Sequence, residues 1–273
     1  MQFKKIIKDS SFINAVKLSF SEPKKLGLMV LYDCLFIASF YALYQLLYFF
    51  GASLVVKPVS YLLFIAMLAI FVVLCIIYYL VIILVYSFFK FSILDIISSL
   101  FDKKESQNGS FGRFYLLNII ITGIFLAFFI LLFFIKSTLK DSYQPFFLII
   151  AYVPYGLYLY AVINTSHSLF FEGVPIKNTL NKSFGIIFTK IWVYFEILAA
   201  MALFAVIIMA LSFGGGYLIR LASSHDNILY IRLFGYFTEI SLVVFDALLY
   251  FMIVINRISF YEIMKNFNNI IKH

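Results

Sequence analysis

The stretch FTEISLVVFDALLYF, residues 237–251, places two carboxylates, Glu239 and Asp246, in a run that is otherwise almost wholly apolar. The composition of the whole chain indicates whether this segment lies in water or in a membrane. Of its 273 residues, 64% are hydrophobic and only 12% are charged, and the mean hydropathy is +1.03. Because so few polar side chains cannot cover the surface of a water-soluble globule, the sequence predicts an integral membrane protein.

Apolar windows long enough to cross a bilayer as helices recur along the chain, with almost no soluble sequence between them. Helices are favoured over a transmembrane barrel because the windows are continuous and lack the alternating pattern of barrel strands. The fold class is therefore all-α and polytopic, and residues 1–273 form a single transmembrane domain. We expect six spans, at about 26–50, 60–86, 114–135, 146–168, 191–213 and 232–256, with the triplet Gly214–Gly216 ending the fifth.

The basic residues predict an orientation for these spans. Sixteen of the 21 Lys and Arg residues lie in the segments on one side of the six spans, and five lie on the other. By the positive-inside rule, both termini are expected to be cytoplasmic. The net charge of +8 then favours contact with anionic lipids on the cytoplasmic side over contact with nucleic acid.

Three amphipathic segments, each ahead of a pair of spans, predict interfacial helices at about 3–20, 92–101 and 175–189. The alternative is that these segments merely extend the spans. The first and third also share sequence, because NAVKLSF at 14–20 aligns with NTLNKSF at 178–184. This match is typical of an internal repeat.

Four acidic residues fall inside the predicted spans: Asp33, Glu196, Glu239 and Asp246. A charged residue at the centre of a span costs about 2.5–3.5 kcal/mol on insertion scales. Apart from Arg232, at the first position of the sixth span, no Lys or Arg lies within the predicted spans to neutralise these acids. Seven residues turn a helix through about 700°, so Glu239 and Asp246 share one face, which we expect to contact protein or trapped water rather than lipid.

Two interpretations of the acids remain open. In the first, they form a pathway for protons, other ions or a small solute, in which a carboxylate exchanges a proton or coordinates an ion. In the second, each acid stays protonated and hydrogen-bonds a neighbour such as Gln45, Asn118, Asn164 or a tyrosine.

The fourth span contains a second candidate, because Pro154 removes a backbone donor and must kink or loosen the helix. Tyr152, Tyr155 and Tyr158 recur every third residue around this point and predict the wall of a binding site. Packing between helices explains the same pattern. His167, near the end of the span, is either titratable or simply hydrogen-bonded.

Sequence motifs of catalysis are lacking. The chain contains no P-loop, GxSxG, HExxH or dinucleotide-binding fingerprint, and Cys34 and Cys75 form no metal-binding spacing. We therefore expect a non-enzymatic protein without a metal or cofactor.

The segment FFEGVPIKNTLNKSFGIIFTKIW, residues 170–192, resembles a signature of prokaryotic six-span proteins of the YciC-like type and of the membrane domain of some glycerophosphodiester phosphodiesterases. The positions that match this signature are Glu172, Gly173, Leu180 and Ser183, and Thr179 stands where the group usually has alanine. The resemblance implies a multi-pass protein of a prokaryotic plasma membrane and implies no phosphodiesterase activity. We expect a permease or an accessory subunit moving a small solute, ion or lipid, and the alternative is a structural subunit of a larger membrane complex.

Overall fold

A computed structural model describes residues 10–53, 61–101, 110–189, 195–223 and 227–272. The regular structure in these ranges is entirely helical. The helices are α1 Ser11–Ser21, α2 Pro23–Ser53, α3 Tyr61–Phe101, α4 Phe111–Thr138, α5 Gln144–Phe147, a π-helical turn Leu148–Tyr152, α6 Val153–Phe171, α7 Ile176–Thr189, α8 Phe195–Ala222 and α9 Asn227–Lys272.

Within the described ranges, six helical segments are long and apolar enough to cross a membrane, in agreement with the predicted number of spans. They are Pro23–Phe49, Leu63–Phe101, Phe111–Thr138, Gln144–Phe171, Ala199–Ala222 and Asn227–Asn266. The 41 residues of α3 and the 46 of α9 correspond to lengths of about 62 and 69 Å. Both helices are about twice as long as a hydrocarbon core is thick, so each continues well beyond one membrane face.

Two of the three predicted amphipathic segments form separate helices. Of the first, α1 covers residues 11–21, and residues 3–9 lie outside the described ranges. The third corresponds to α7. Residues 92–101, in contrast, are the last turns of α3, because no Gly or Pro between residues 86 and 92 stops the helix.

The helices α1 and α7 bury corresponding residues of the repeated sequence. Ala15 and Ser19 of α1 are buried, as are Thr179 and Ser183 of α7, which occupy the same positions in the alignment. The buried serine hydroxyls both donate to a backbone carbonyl of their own helix. Each helix therefore buries a pair of small side chains four residues apart, on one face.

The chain divides into two compact units, of which unit 2 comprises residues 22–187 and 268–273. Here α3 packs against α2, α4 and α6. Lys25, near the start of α2, donates from Nζ to the carbonyl of Ser99 at 3.0 Å and so satisfies an acceptor in the last turn of α3. The apolar core of unit 2 includes Met29, Ile83, Ile93, Leu94, Ile97, Phe114, Leu117, Ile121, Phe125, Val162 and Leu169.

Unit 1 comprises residues 1–21 and 188–267, and in it α1 packs along the second half of α9. Asn14 donates from Nδ2 to Oε1 of Glu262 at 3.2 Å, and the rings of Phe20 and Phe251 lie 5.6 Å apart. From 252 to 264 most α9 side chains are buried, whereas from 228 to 249 most large apolar ones are exposed.

The glycine triplet of unit 1 lies inside α8 and does not end it, since the helix continues to Ala222. A Cβ atom at Gly215 would overlap the ring of Phe237, and one at Gly216 would touch Phe234. The missing side chains therefore let two aromatic rings of α9 approach the α8 backbone.

Candidate functional site

The four predicted pathway acids fall in both units. Asp33 lies in α2 of unit 2 and is buried. Glu196, Glu239 and Asp246 belong to unit 1, where Glu196 lies in α8 with its side chain outside the described part. Glu239 and Asp246 lie on α9, and both are exposed.

Within the described part of the chain the side chains of Glu239 and Asp246 are exposed, so their contact with protein or trapped water rather than lipid stays a prediction. α9 is continuous through both residues, so they share a face as predicted. Their packed neighbour α8, however, approaches from the other side, through Phe234 and Phe237. Phe237 and Asp246 are nine residues apart, or about 900° of helical rotation, and therefore point in opposite directions.

A buried polar network in unit 2 was not predicted as a site. His167 Nε2 lies 2.6 Å from Asn118 Oδ1, and Asn118 Nδ2 donates to Ser87 Oγ at 3.0 Å. The three side chains come from α6, α4 and α3 and are essentially inaccessible to solvent. Because an amide oxygen only accepts, Nε2 must carry the hydrogen. The network therefore joins three helices by side-chain hydrogen bonds, which are common between membrane helices.

The same network continues along α4 towards the middle of the span. The hydroxyl of Thr122 donates to the carbonyl of Asn118 at 2.6 Å. The hydroxyl of Tyr79, on α3, lies 2.8 Å from Thr122 Oγ1 and 3.0 Å from the carbonyl oxygen of Ile119. Polar groups thus follow one another over more than a helical turn between α3 and α4.

Several polar atoms of unit 2 are buried without a hydrogen bond. Among the described residues, His167 Nδ1 and Ser166 Oγ have no hydrogen-bond partner. The His167 ring packs against Phe114, with ring centres 4.8 Å apart. The His167 ring is therefore hydrogen-bonded through Nε2, as in the alternative of a simply hydrogen-bonded histidine. Its acceptor Nδ1 is buried without a hydrogen bond.

Ser87 and Lys90 were not predicted as buried residues, because the second span is predicted to end before Lys90. In the structure Lys90 is buried, on a face of α3 that also buries Ile83, Ser87, Leu94 and Ile97. The spacing of three and four residues is the signal that would have revealed this face once the helix was extended.

The tyrosines of the fourth span pack against other helices of unit 2. Tyr155 donates its hydroxyl to the carbonyl of Phe125 at 2.7 Å. Its ring and that of Tyr158 contact the ring of Phe125, and Tyr152 contacts Phe129. These contacts are those expected if the tyrosines pack between helices, the alternative to a binding-site wall. The predicted loosening at Pro154 is confirmed, because the π-helical turn Leu148–Tyr152 lies just before it.

The signature segment forms a tight connection between α6 and α7. Gly173 has φ of 79°, and its N–H donates to the carbonyl of Phe170, while that of Val174 donates to Leu169. These two bonds form a Schellman motif, which requires a left-handed residue at the position of Gly173. Thr179 Oγ1 then donates to the carbonyl of Val174. Gly173 and Thr179 thus stabilise this connection.

Metal ligands do not cluster in the described ranges, where no group of three or more His, Cys, Asp or Glu side chains is placed to hold an ion. Cys34 and Cys75 are both free and exposed.

In the described ranges, six helices that are long and apolar enough to cross a membrane indicate a multi-pass helical membrane protein. No protein-family model matches the chain, and neither a curated protein nor a solved structure shows significant similarity to it.

Proposed function

We propose that this chain is a non-enzymatic subunit of permease type, which moves a small solute, ion or lipid together with other protein subunits. We place it in the plasma membrane of a prokaryote, with both termini cytoplasmic and its basic segments against anionic lipids. The distribution of Lys and Arg supports this orientation, and the resemblance of residues 170–192 to YciC-like proteins supports the location.

The exposure of Glu239 and Asp246 carries the proposal. Among the described residues, neither acid has a hydrogen-bond or ionic partner, although both lie in a span. In hydrocarbon, a carboxyl group without a partner is unfavourable in either protonation state. A second protein, or a water-lined path completed by one, would supply the missing contacts.

Asp246→Asn tests the role of the carboxylate because it preserves shape and most hydrogen bonding but removes the titratable group. The purified complex is reconstituted into vesicles that contain a pH-sensitive dye, and proton flux is followed after a potassium-diffusion potential is imposed. We expect the wild-type complex to conduct and the variant to lose most of its flux with unchanged helicity. Equal flux in both would refute a pathway through Asp246.

The alternative is a purely structural subunit, in which the acids only hold the complex together. It is favoured by Tyr155 and His167, because the hydroxyl of Tyr155 and the Nε2–H of His167 both donate to acceptors within unit 2. Under this alternative, the reconstituted complex shows no flux in either form. Both roles require that the chain belongs to a larger complex. Blue-native electrophoresis of membranes extracted in mild detergent tests this requirement. A chain that migrates only as a 31.6 kDa monomer would exclude both roles.

A further inference from the structure

We propose that the face of α9 carrying Glu239 and Asp246 binds a membrane-spanning helix of a different protein, one that carries a Lys or Arg near the middle of its span. This inference rests on the proposed subunit role and specifies the chemistry of the partner.

The acidic face is available within unit 1. The glycine-lined surface of α8 occupies the opposite side of α9, where Phe234 and Phe237 pack. Between the two acids, Val243 is 70% exposed, and Tyr236 lies one turn away at 65%. Glu239, Val243 and Asp246 follow the three- and four-residue spacing by which one helix contacts another.

Charge complementarity identifies the occupant. Asp246 is 11 residues from Arg257 and 14 from Arg232, or about 16 and 21 Å along the helix, which puts it near the middle of a bilayer. A carboxylate at this depth is neutralised most directly by a cation, and a lone cation in a neighbouring span has the same requirement. Pairing the two removes both costs.

A second copy of this chain lacks the required cation. Two basic side chains of the described spans lie well inside a helix. Arg257 is 15 residues before the end of α9 and about 16 Å along it from Asp246, and Lys90 is 11 residues before the end of α3 and is buried in unit 2. Other basic residues lie at or just beyond the ends of the spans on the side opposite the termini: Lys136, Lys140, Arg220 and Arg232. No exposed Lys or Arg in the described part of a second copy is thus available at the depth of Asp246.

Photo-cross-linking in native membranes tests the occupant. The background replaces both cysteines, as Cys34→Ser and Cys75→Ser, which are exposed positions. A benzophenone maleimide is attached to Val243→Cys and, as a matched control, to Val244→Cys, which lies at nearly the same depth but about 100° around the helix. We expect the first label to yield more adduct with a different protein whose cross-linked span contains a mid-span Lys or Arg. Adducts between two copies, or with a span lacking a basic residue, would overturn the inference.

A designed peptide measures the charge preference directly. A 23-residue Leu-Ala host helix with a single central Lys is compared, by energy transfer in lipid vesicles, with the same host carrying a central Leu. We expect the Lys host to bind the purified chain about tenfold more tightly, and Asp246→Asn to abolish the difference. Equal binding of the two hosts to the wild-type chain would contradict the proposed pairing.

The two failures are distinguishable. If the label at residue 243 joins two copies, the cationic partner is refuted, while a subunit role in a homomeric assembly stands. If the chain extracted from native membranes is monomeric, the subunit role itself is refuted, whatever the host helices do.

Discussion

The helices α4 and α8 each have 28 residues and cross the same hydrocarbon thickness, yet they contribute very differently to their units. The most apolar window of α4 has a mean hydropathy of 2.8, and 22% of its residues are buried. The corresponding window of α8 has a mean hydropathy of 2.1, and none of its residues is buried. Hydropathy therefore places both in a membrane without distinguishing their surroundings. The difference lies in what each face offers: α4 presents Asn118 and a stripe of large side chains to α3 and α6, whereas α8 presents glycines to two rings of α9.

The largest effect is expected when a large side chain is removed from the buried face of α4, compared with the same change on its exposed face. Phe114 is fully buried and its ring contacts those of Phe91, His167, Phe170 and Phe171. We expect Phe114→Ala to lower the free energy of unfolding by about 3–5 kcal/mol, because it leaves a cavity. The matched control is Phe128→Ala on the same helix, where the ring is exposed, and it should cost less than about 1 kcal/mol. Unfolding is followed by circular dichroism in detergent micelles, and similar losses for both variants would show that α4 has no packed core face.

A smaller effect is expected from the polar network. Asn118→Ala leaves the hydroxyl of Ser87 and the Nε2–H of His167 buried without their partner. The free energy of unfolding should fall by about 1–3 kcal/mol. Ser137→Ala, also on α4, removes only an exposed hydroxyl bonded to its own helix, and should change little. The same unfolding assay checks this, and a neutral Asn118→Ala would mean that the network does not hold the three helices together.

The glycines of α8 should give the smallest effect. Gly215→Ala forces the Phe237 ring away from the helix and should destabilise the α8–α9 pair by about 1–2 kcal/mol. A Cβ atom at the neighbouring Gly214 would meet only open space, so Gly214→Ala should be neutral or stabilise by up to about 1 kcal/mol. Amide hydrogen exchange in residues 205–222 reports the local change. The reverse order of the two variants would show that the rings do not pack on Gly215.

The part of the fold that depends on local sequence was predictable. The spans follow from runs of apolar residues, and the shared face of Glu239 and Asp246 follows from helical geometry. The predicted end of the second span was wrong because of Lys90. Only tertiary packing decides whether a lysine ends a span or is buried within it.

The candidate site was predictable only in part, for the same reason. His167 and Asn118 are 49 residues apart and meet because α4 packs near α6, for which no local pattern exists. Tyr155 and Tyr158 have the same spacing whether they line a pocket or pack on Phe125, so the pattern left both alternatives open.

The unbroken course of α9 has a mechanical consequence. Asp246 and Glu262 are 16 residues apart on one helix, or about 24 Å, and no proline or glycine between them provides a hinge. If the helix pivots by about 10° at Asp246, the backbone at Glu262 moves by about 4 Å. That displacement exceeds the 3.2 Å between Asn14 Nδ2 and Glu262 Oε1, so α1 would have to move with α9 for this hydrogen bond to persist.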